Sequence, residues 1–200
     1  MLDLQKDFAR VGVKLNATIG EIRSKEGITA NGVALSGKAF ARADHPTRTF
    51  KRSASHELIH EYIMADNALA GQLEAVLRMN VDSAKLNDLV GKYISLYQRA
   101  YTGLTDAEMK LRATEEIICD AYSGINRNGW GATEYSDDIR AAVSSWEKEW
   151  DAAHPNGYQN TAQNSTAQGN TGKPSFSLTT EMTWDEQLDE LDNSSRFSAL

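Results

Sequence analysis

Residues 55–62 read SHELIHEY, so that His56, Glu57 and His60 fit the pattern His-Glu-x-x-His. On a helix, two histidines four positions apart lie one above the other, and both imidazoles can reach one ion. A catalytic Zn²⁺ has three protein ligands and leaves its fourth position to water. Glu57, next to His56, would lie towards that water and serve as general base. The pattern therefore predicts a zinc hydrolase, provided that the chain supplies a third ligand.

Four other side chains are candidates for that ligand. His45 precedes the motif and His154 lies far behind it, and both positions are more typical of surface histidines. Glu116 and Asp120 stand four apart in ATEEIICDAY (113–122), so that a helix would present both carboxylates on one face. One of the two can bind the metal while the other accepts the N–H of a ligand histidine.

The surroundings of these two carboxylates favour a functional site. Ile117, Ile118 and Ala121 predict a buried helix, in which two carboxylates are costly without a cation or hydrogen-bond donors. A polar stripe at the protein surface is the alternative. Glu115 should face about 100° away from Glu116 and be exposed to solvent.

The first fifty residues predict a small sheet. LDLQKDFARVG is typical of a short helix, whereas GVKLNATIG and NGVALSGKAFARAD alternate apolar and polar residues between glycines, as strands do. GVALSGKAFARA fits either an edge strand that holds an extended peptide by backbone pairing or an ordinary core strand.

The middle of the chain predicts helices. Apolar residues recur at helical spacing in five stretches, and Thr105 and Glu108 form a capping-box pattern before one of them. Trp146 and Trp150 should pack in the core. The fold class expected is therefore α+β, mostly helical with a small N-terminal β-sheet.

Composition divides the chain into three parts. Residues 1–153 form the expected domain, and 154–175, rich in Asn, Gln, Thr, Ser and Gly, predict a disordered linker. Residues 176–200 form a tail in which Thr183 and Glu186 fit the start of a short amphipathic helix. A solvated tail without a helix is the alternative.

Charge and cysteine content restrict the partners and the compartment. The net charge of −7 over 200 residues argues against nucleic acid and anionic membranes as partners. Cys119 is the single cysteine, so no intrachain disulfide can form. No apolar signal core occurs, and no apolar run approaches the ~18 residues of a membrane span. We expect a cytoplasmic protein or a fragment of a larger one.

His-Glu-x-x-His followed by Glu-x-x-x-Asp resembles the gluzincin group of zinc metallopeptidases. The resemblance implies a zincin-like fold in which His56, His60 and Glu116 bind Zn²⁺. It further implies that Glu57 is the catalytic base and that Asp120 braces the first histidine. About 55 residues separate the two motifs, far more than in thermolysin, so the details of its substrate cleft do not carry over.

SASHELIHEYI and TEEIICDAYSG are more specifically similar to zincin-like domains in large phage- and mobile-element-encoded proteins of bacteria. This likeness covers about 45–150 and implies a domain of a larger polyprotein. The predicted function is hydrolysis of a peptide or protein substrate. A metal-stabilised interaction module without catalysis and a toxin-type effector are the alternatives. Only three good ligands are evident, which favours a site open to water. Four tyrosines are candidates for the group that stabilises the oxyanion: Tyr97, Tyr101, Tyr122 and Tyr135.

Overall fold

The computed structural model describes residues 2–23, 29–35, 37–45, 49–80, 82–98, 103–157 and 178–180. This part of the chain contains the helices α1 (Leu2–Arg10), α2 (Phe50–Ala65), α3 (Asn67–Asn80), α4 (Ser83–Tyr97), α5 (Asp106–Ser123) and α6 (Ser136–Ala153). The strands are β1 (Lys14–Ile19), β2 (Ile22–Arg23), β3 (Thr29–Ala30), β4 (Gly32–Leu35), β5 (Lys38–Arg42) and β6 (Leu178–Thr180). Two 3₁₀ turns, Arg127–Gly129 and Ala132–Tyr135, connect α5 to α6. The expected α+β class, mostly helical with a small N-terminal sheet, is confirmed.

The main sheet has the strand order β4-β5-β1-β6. Strand β1 pairs in parallel with β5 and with β6, whereas β4 and β5 form an antiparallel hairpin. Four consecutive residues of β1 are buried, which is typical of a strand covered on both faces. Strand β4 is at the end of this order. The strands predicted from NGVALSGKAFARAD are therefore confirmed, and the first of them is an edge strand within the described residues.

Helix α2, which carries the His-Glu-x-x-His motif, lies in the centre of the domain. It packs against β4 and β5 on one side and against α1, α3 and α5 on others. Its buried residues point in nearly all directions: Ser53, Ala54, His56, Glu57, Leu58, Ile59, Glu61, Tyr62 and Ile63. The sequence pattern indicated one apolar side, whereas the folded helix is enclosed almost all round, polar side chains included.

Helix α5 carries the second motif and packs against α2, α3, α4 and α6. Its N-terminus has the predicted capping box, in which the Thr105 side chain accepts from the Glu108 N–H and the Glu108 carboxylate accepts from the Thr105 N–H. It ends at Gly124, whose φ of 72° is in the left-handed region that favours glycine. Both ends of the helix are thus specified locally.

The buried tryptophans agree with the sequence analysis, whereas one strand in the tail was not predicted. Trp146 and Trp150 are buried, as expected. Strand β6, at the second edge of the sheet, was not predicted, and the amphipathic helix predicted around Thr183 lies outside the described residues, as does most of the predicted linker. Among the described residues, no helix is both long enough and apolar enough to cross a membrane.

Candidate metal centre

The two motif histidines face helix α5 from successive turns of α2. The centroids of the His56 and His60 rings are 5.1 Å apart, and both side chains are largely buried. Each ring has one nitrogen near Glu116 and its other nitrogen near a different carboxylate of α5. The structure therefore brings together residues that are distant in the sequence. We call them the histidine cluster: His56, His60, Glu115, Glu116 and Asp120.

Glu116 lies between the two imidazoles. Its Oε2 atom is 3.4 Å from Nε2 of His56, and its Oε1 atom is 3.6 Å from Nε2 of His60. Ligand atoms at ~2.0–2.1 Å from a tetrahedral Zn²⁺ are about 3.3–3.4 Å apart, so each separation is close to one such edge, although the two involve different oxygens. Oε2 is also buried without a hydrogen-bond partner. Both observations fit a cation between the three side chains.

Asp120 lies behind His56, where a brace was predicted. Its Oδ1 atom is 3.0 Å from Nδ1 of His56, although the alignment falls short of a hydrogen bond. The carboxylate is fully buried and accepts from Arg127 at 2.8 and 3.1 Å and from the Tyr93 hydroxyl at 2.7 Å. Arg127 in turn lies over the Tyr93 ring, 5.9 Å from its centroid. The network holds Asp120 in place and leaves Nε2 of His56 directed at Glu116.

Glu115 was expected to be exposed, and this prediction was wrong. Its side chain is only 14% exposed, and Oε1 is 2.6 Å from Nδ1 of His60, while Arg112 lies 3.4 Å from Oε2. His60 is one turn beyond His56 on α2, so its far nitrogen meets the residue next to Glu116 and not Asp120. Each histidine thus has its own carboxylate at Nδ1, which leaves both Nε2 atoms available for a metal.

Cys119 is the donor that the sequence analysis missed. Ligand atoms of His56, His60 and Cys119 all lie within 4.8 Å of one another, and the thiol is fully buried. Its position three residues after Glu116 places both side chains on the face of α5 that meets α2. This spacing was visible in the sequence. A buried group able to hold a metal ion is therefore present, with two candidates for the third ligand.

Two observations bear on the third ligand, and they differ. Glu116 places one oxygen near each Nε2 atom, at 3.4 and 3.6 Å, whereas among the described residues the group whose single ligand atoms all lie within 4.8 Å of one another contains Cys119 and not Glu116. We take Glu116 as the first candidate because its carboxylate lies between the two imidazoles. A bonded thiolate and imidazole nitrogen are about 3.5 Å apart. The presence of the thiol nevertheless removes the argument that only three good ligands exist.

Glu57 lies on the side of α2 that faces the edge strand β4. A Cβ atom at Gly32 would collide with Oε1 of Glu57 and lie 2.7 and 2.8 Å from its Cδ and Cγ atoms. The Glu57 side chain therefore lies directly against the backbone of β4 at Gly32, and a larger residue there would displace it. Glu61 is one turn further along and buried, and burial followed by the charge of Glu57 raises its pKa to about 8.

One of the four candidate tyrosines lies near the cluster. Burial and then the charge of Glu116 raise the pKa of Tyr97, and its ring centroid is 5.5 Å from Cζ of Arg127. Tyr135 is buried at the end of the second 3₁₀ turn. Tyr122 is partly buried beside α6, and Tyr101 lies outside the described residues.

The carboxylates of the histidine cluster require about two positive charges to balance them. Burial alone would lower the pKa of both histidines. For His56 the carboxylates of Asp120 and Glu116 outweigh burial and raise the pKa to about 9. The pKa of His60 is also well above its ordinary value, through Cys119, Glu115 and Glu116. The histidines in return hold the pKa of Glu116 well below its usual range, against the effect of burial. One divalent cation could replace these two protons.

The other two histidines lie elsewhere. His154 follows α6, and its ring stacks on Trp150 with centroids 4.1 Å apart. His45 is in the connection between β5 and α2, and it is not part of the His56–His60–Cys119 group within the described residues.

Comparison with protein-family models, with curated proteins and with solved structures gives no match for this chain. The likeness to gluzincins and to phage proteins stays a prediction from the motifs.

Proposed function

We propose that the chain is a zinc-dependent peptidase of zincin-like fold. His56, His60 and Glu116 would hold the metal. The observation that carries this proposal is the Glu116 carboxylate, whose oxygens lie 3.4 and 3.6 Å from the two Nε2 atoms and include one without a hydrogen-bond partner. A buried carboxylate in this position is stable only with protons or a cation beside it. The phage or mobile-element origin remains a prediction of the sequence.

The chain's own residues would divide the chemistry between them. Bound zinc polarises a carbonyl and lowers the pKa of its water to about 7. Glu57 removes a proton from the attacking water and later passes it to the leaving amine. Tyr97 donates a hydrogen bond from its hydroxyl to the substrate oxygen on which negative charge develops. Asp120 and Glu115 keep the imidazoles in the tautomer that directs Nε2 at the metal.

The position of strand β4 supports a peptide substrate. It is an edge strand within the described residues, and Gly32 at its start contacts Glu57. An extended peptide that paired with β4 would therefore run past the general base.

Substitution of Glu57 by Gln tests this proposal. Cleavage of a proteome-derived peptide library, scored by mass spectrometry of new termini, should fall roughly 10²–10⁴-fold. Zinc content, measured on the same preparation, should be unchanged. Glu149→Gln, on the exposed side of α6, is the matched control and should retain full cleavage. Cleavage that persists in the Glu57 variant, or zinc that is lost with it, would contradict the base role.

Cys119 favours a second candidate function. With a thiolate as the fourth protein ligand, the site would be closed, as in structural zinc sites, and the domain would be a metal-stabilised interaction module. Such a module would bind zinc tightly and give no new termini in the library experiment. The toxin-type effector differs from a general peptidase only in its substrate range, which the number of distinct cleavage sites in the library would reveal.

A further inference from the structure

We propose that Cys119 is a fourth, exchangeable ligand of the metal, which occupies the position of the attacking water until it is displaced. This inference rests on the proposed peptidase function and concerns the regulation of that site. The resting centre would then be formed by His56, His60, Glu116 and Cys119. When water takes the place of the sulfur, the thiolate would leave the metal and take up a proton from solvent, and the position that the attacking water needs would be open.

The sulfur of Cys119 lies close to the two histidines. The ligand atoms of the two histidines and Cys119 lie within 4.8 Å of one another. A coordinated thiolate and imidazole nitrogen are about 3.5 Å apart, so the 4.8 Å limit exceeds the bonded separation by about 1.3 Å. Rotation about χ1 of the cysteine moves the sulfur without displacing the backbone of α5.

Within the described part of the chain, the Cys119 thiol has no role apart from packing and its position beside the histidines. Cys119 is fully buried, and no disulfide is available to it in a chain with one cysteine. Its sulfur lies within 4.8 Å of a ligand atom of each motif histidine, and its neighbours along the helix include the proposed ligand Glu116 and the brace Asp120. A small apolar residue would fill the same space without adding a donor atom.

The donor atoms of the proposed ligands favour zinc. When the thiol binds, its S–H bond breaks, the proton goes to solvent and the sulfur binds as a thiolate. Nitrogen and sulfur donors select Zn²⁺ and similar borderline or soft ions over Mg²⁺ and Ca²⁺. A site closed by four protein ligands also protects the metal from loss until substrate arrives.

Cobalt substitution of the full chain tests the ligand. The Co²⁺ form should show the sulfur-to-cobalt charge-transfer band in the near ultraviolet. Cys119→Ala should abolish the band, whereas Ile118→Val, a neighbouring core substitution without a ligand atom, should retain it. Glu57→Gln should retain it too.

Exchange is tested on the zinc forms of the same variants. Cys119→Ala should bind zinc more weakly, by at least the roughly tenfold that loss of an outer partner of a ligand produces, and should cleave peptides faster than the unmodified chain. Cleavage without a sulfur band in the unmodified chain would overturn the role of Cys119 and leave the peptidase proposal intact. A sulfur band without cleavage by any variant would overturn exchange and peptidase together and identify a closed structural site.

Discussion

Two charge networks flank helix α2, one partly exposed around Arg10 and one buried around the motif histidines, and they differ in which atoms lack a hydrogen-bond partner. Around Arg10, the guanidinium donates to Asp7, Tyr62, Glu147 and Asp151 at 2.6–3.1 Å. The Tyr62 hydroxyl also donates to Glu147 at 2.9 Å. One cation on α1 thus supplies donors to carboxylates of α1 and α6. We call these five residues the Arg10 cluster.

The histidine cluster has acceptors in excess of donors. Within the described residues, the buried atoms without a hydrogen bond include Oε2 of Glu116 and Nδ1 of His56 but no atom of the Arg10 cluster. Arg127 donates to Asp120, Arg112 lies 3.4 Å from Glu115, and Glu116 is paired with histidines whose own charge requires bound protons. Arg10 supplies a permanent cation to its network, whereas Glu116 is paired with the two histidines. The deficit around Glu116 is what a metal site requires before its metal binds.

The contribution of the histidine cluster to folding stability should depend on pH more strongly than that of the Arg10 cluster. His56 has a raised pKa in the folded metal-free protein, so its stabilising effect is complete below its unfolded pKa of about 6.5 and is lost as the pH rises through about 9. This loss amounts to about 3 kcal/mol. Glu61, whose pKa is raised to about 8, acts in the same direction, because its unfolded form ionises first.

Zinc affinity should change with pH in the opposite sense. Metal binding displaces one or two protons from the histidines, so that the association constant should rise about ten- to a hundredfold per pH unit below about pH 9. Competition titrations with a chromogenic chelator between pH 6 and 8 measure this slope. Thermal unfolding of the zinc-loaded and metal-free forms should diverge as the pH rises. A flat affinity profile would mean that the histidines are already neutral or do not bind the metal.

Removal of one carboxylate from each network sharpens the comparison. Glu116→Ala should weaken zinc binding by more than the roughly 100-fold upper effect of an outer partner, because a ligand itself is lost. Glu147→Ala, in the Arg10 cluster, should leave zinc affinity within about twofold, since distant sites act independently. Isothermal titration calorimetry of both variants measures the difference. Equal losses would show that both substitutions act only through general destabilisation.

The braces behind the two histidines should give the smallest effect. Asp120→Asn and Glu115→Gln should each weaken zinc binding about 10–100-fold, because an amide holds the imidazole N–H less firmly than a carboxylate does. Asp120→Asn should cost more stability, since it also weakens the interactions with Arg127 and Tyr93. Zinc affinity and chemical denaturation of the two variants separate the effects. If Glu115→Gln has no effect on zinc, its contact with His60 is not a brace.

Local features of the site were predictable because helix geometry alone decides them. The i, i+4 spacing places His56 above His60, and the same spacing places Glu116 and Asp120 on one face of α5. The capping box at Thr105 and the strands around Gly32 also depend only on neighbouring residues. The likeness of the two motifs to gluzincins joined these local facts into a ligand set whose role stays a prediction.

Contacts between segments were not predictable from periodicity. Glu115 was expected in solvent because a helix with one buried face leaves it exposed, but α5 is covered on more than one side and meets His60 there. Nothing in the sequence pattern singled out Cys119 as a ligand, because its approach to the histidines depends on the packing of α5 against α2. The approach of Glu57 to Gly32 depends on the position of an edge strand 25 residues earlier in the chain.

By itself, the sequence determined which helices form and which side chains share a face on each, because these follow from spacing within one turn or two. The tertiary structure alone decided which carboxylate meets which imidazole nitrogen, and that a thiol joins them. Such contacts depend on the relative rotation and height of α2 and α5, about 55 residues apart in the chain, and these are set by the packing of both helices against the rest of the core.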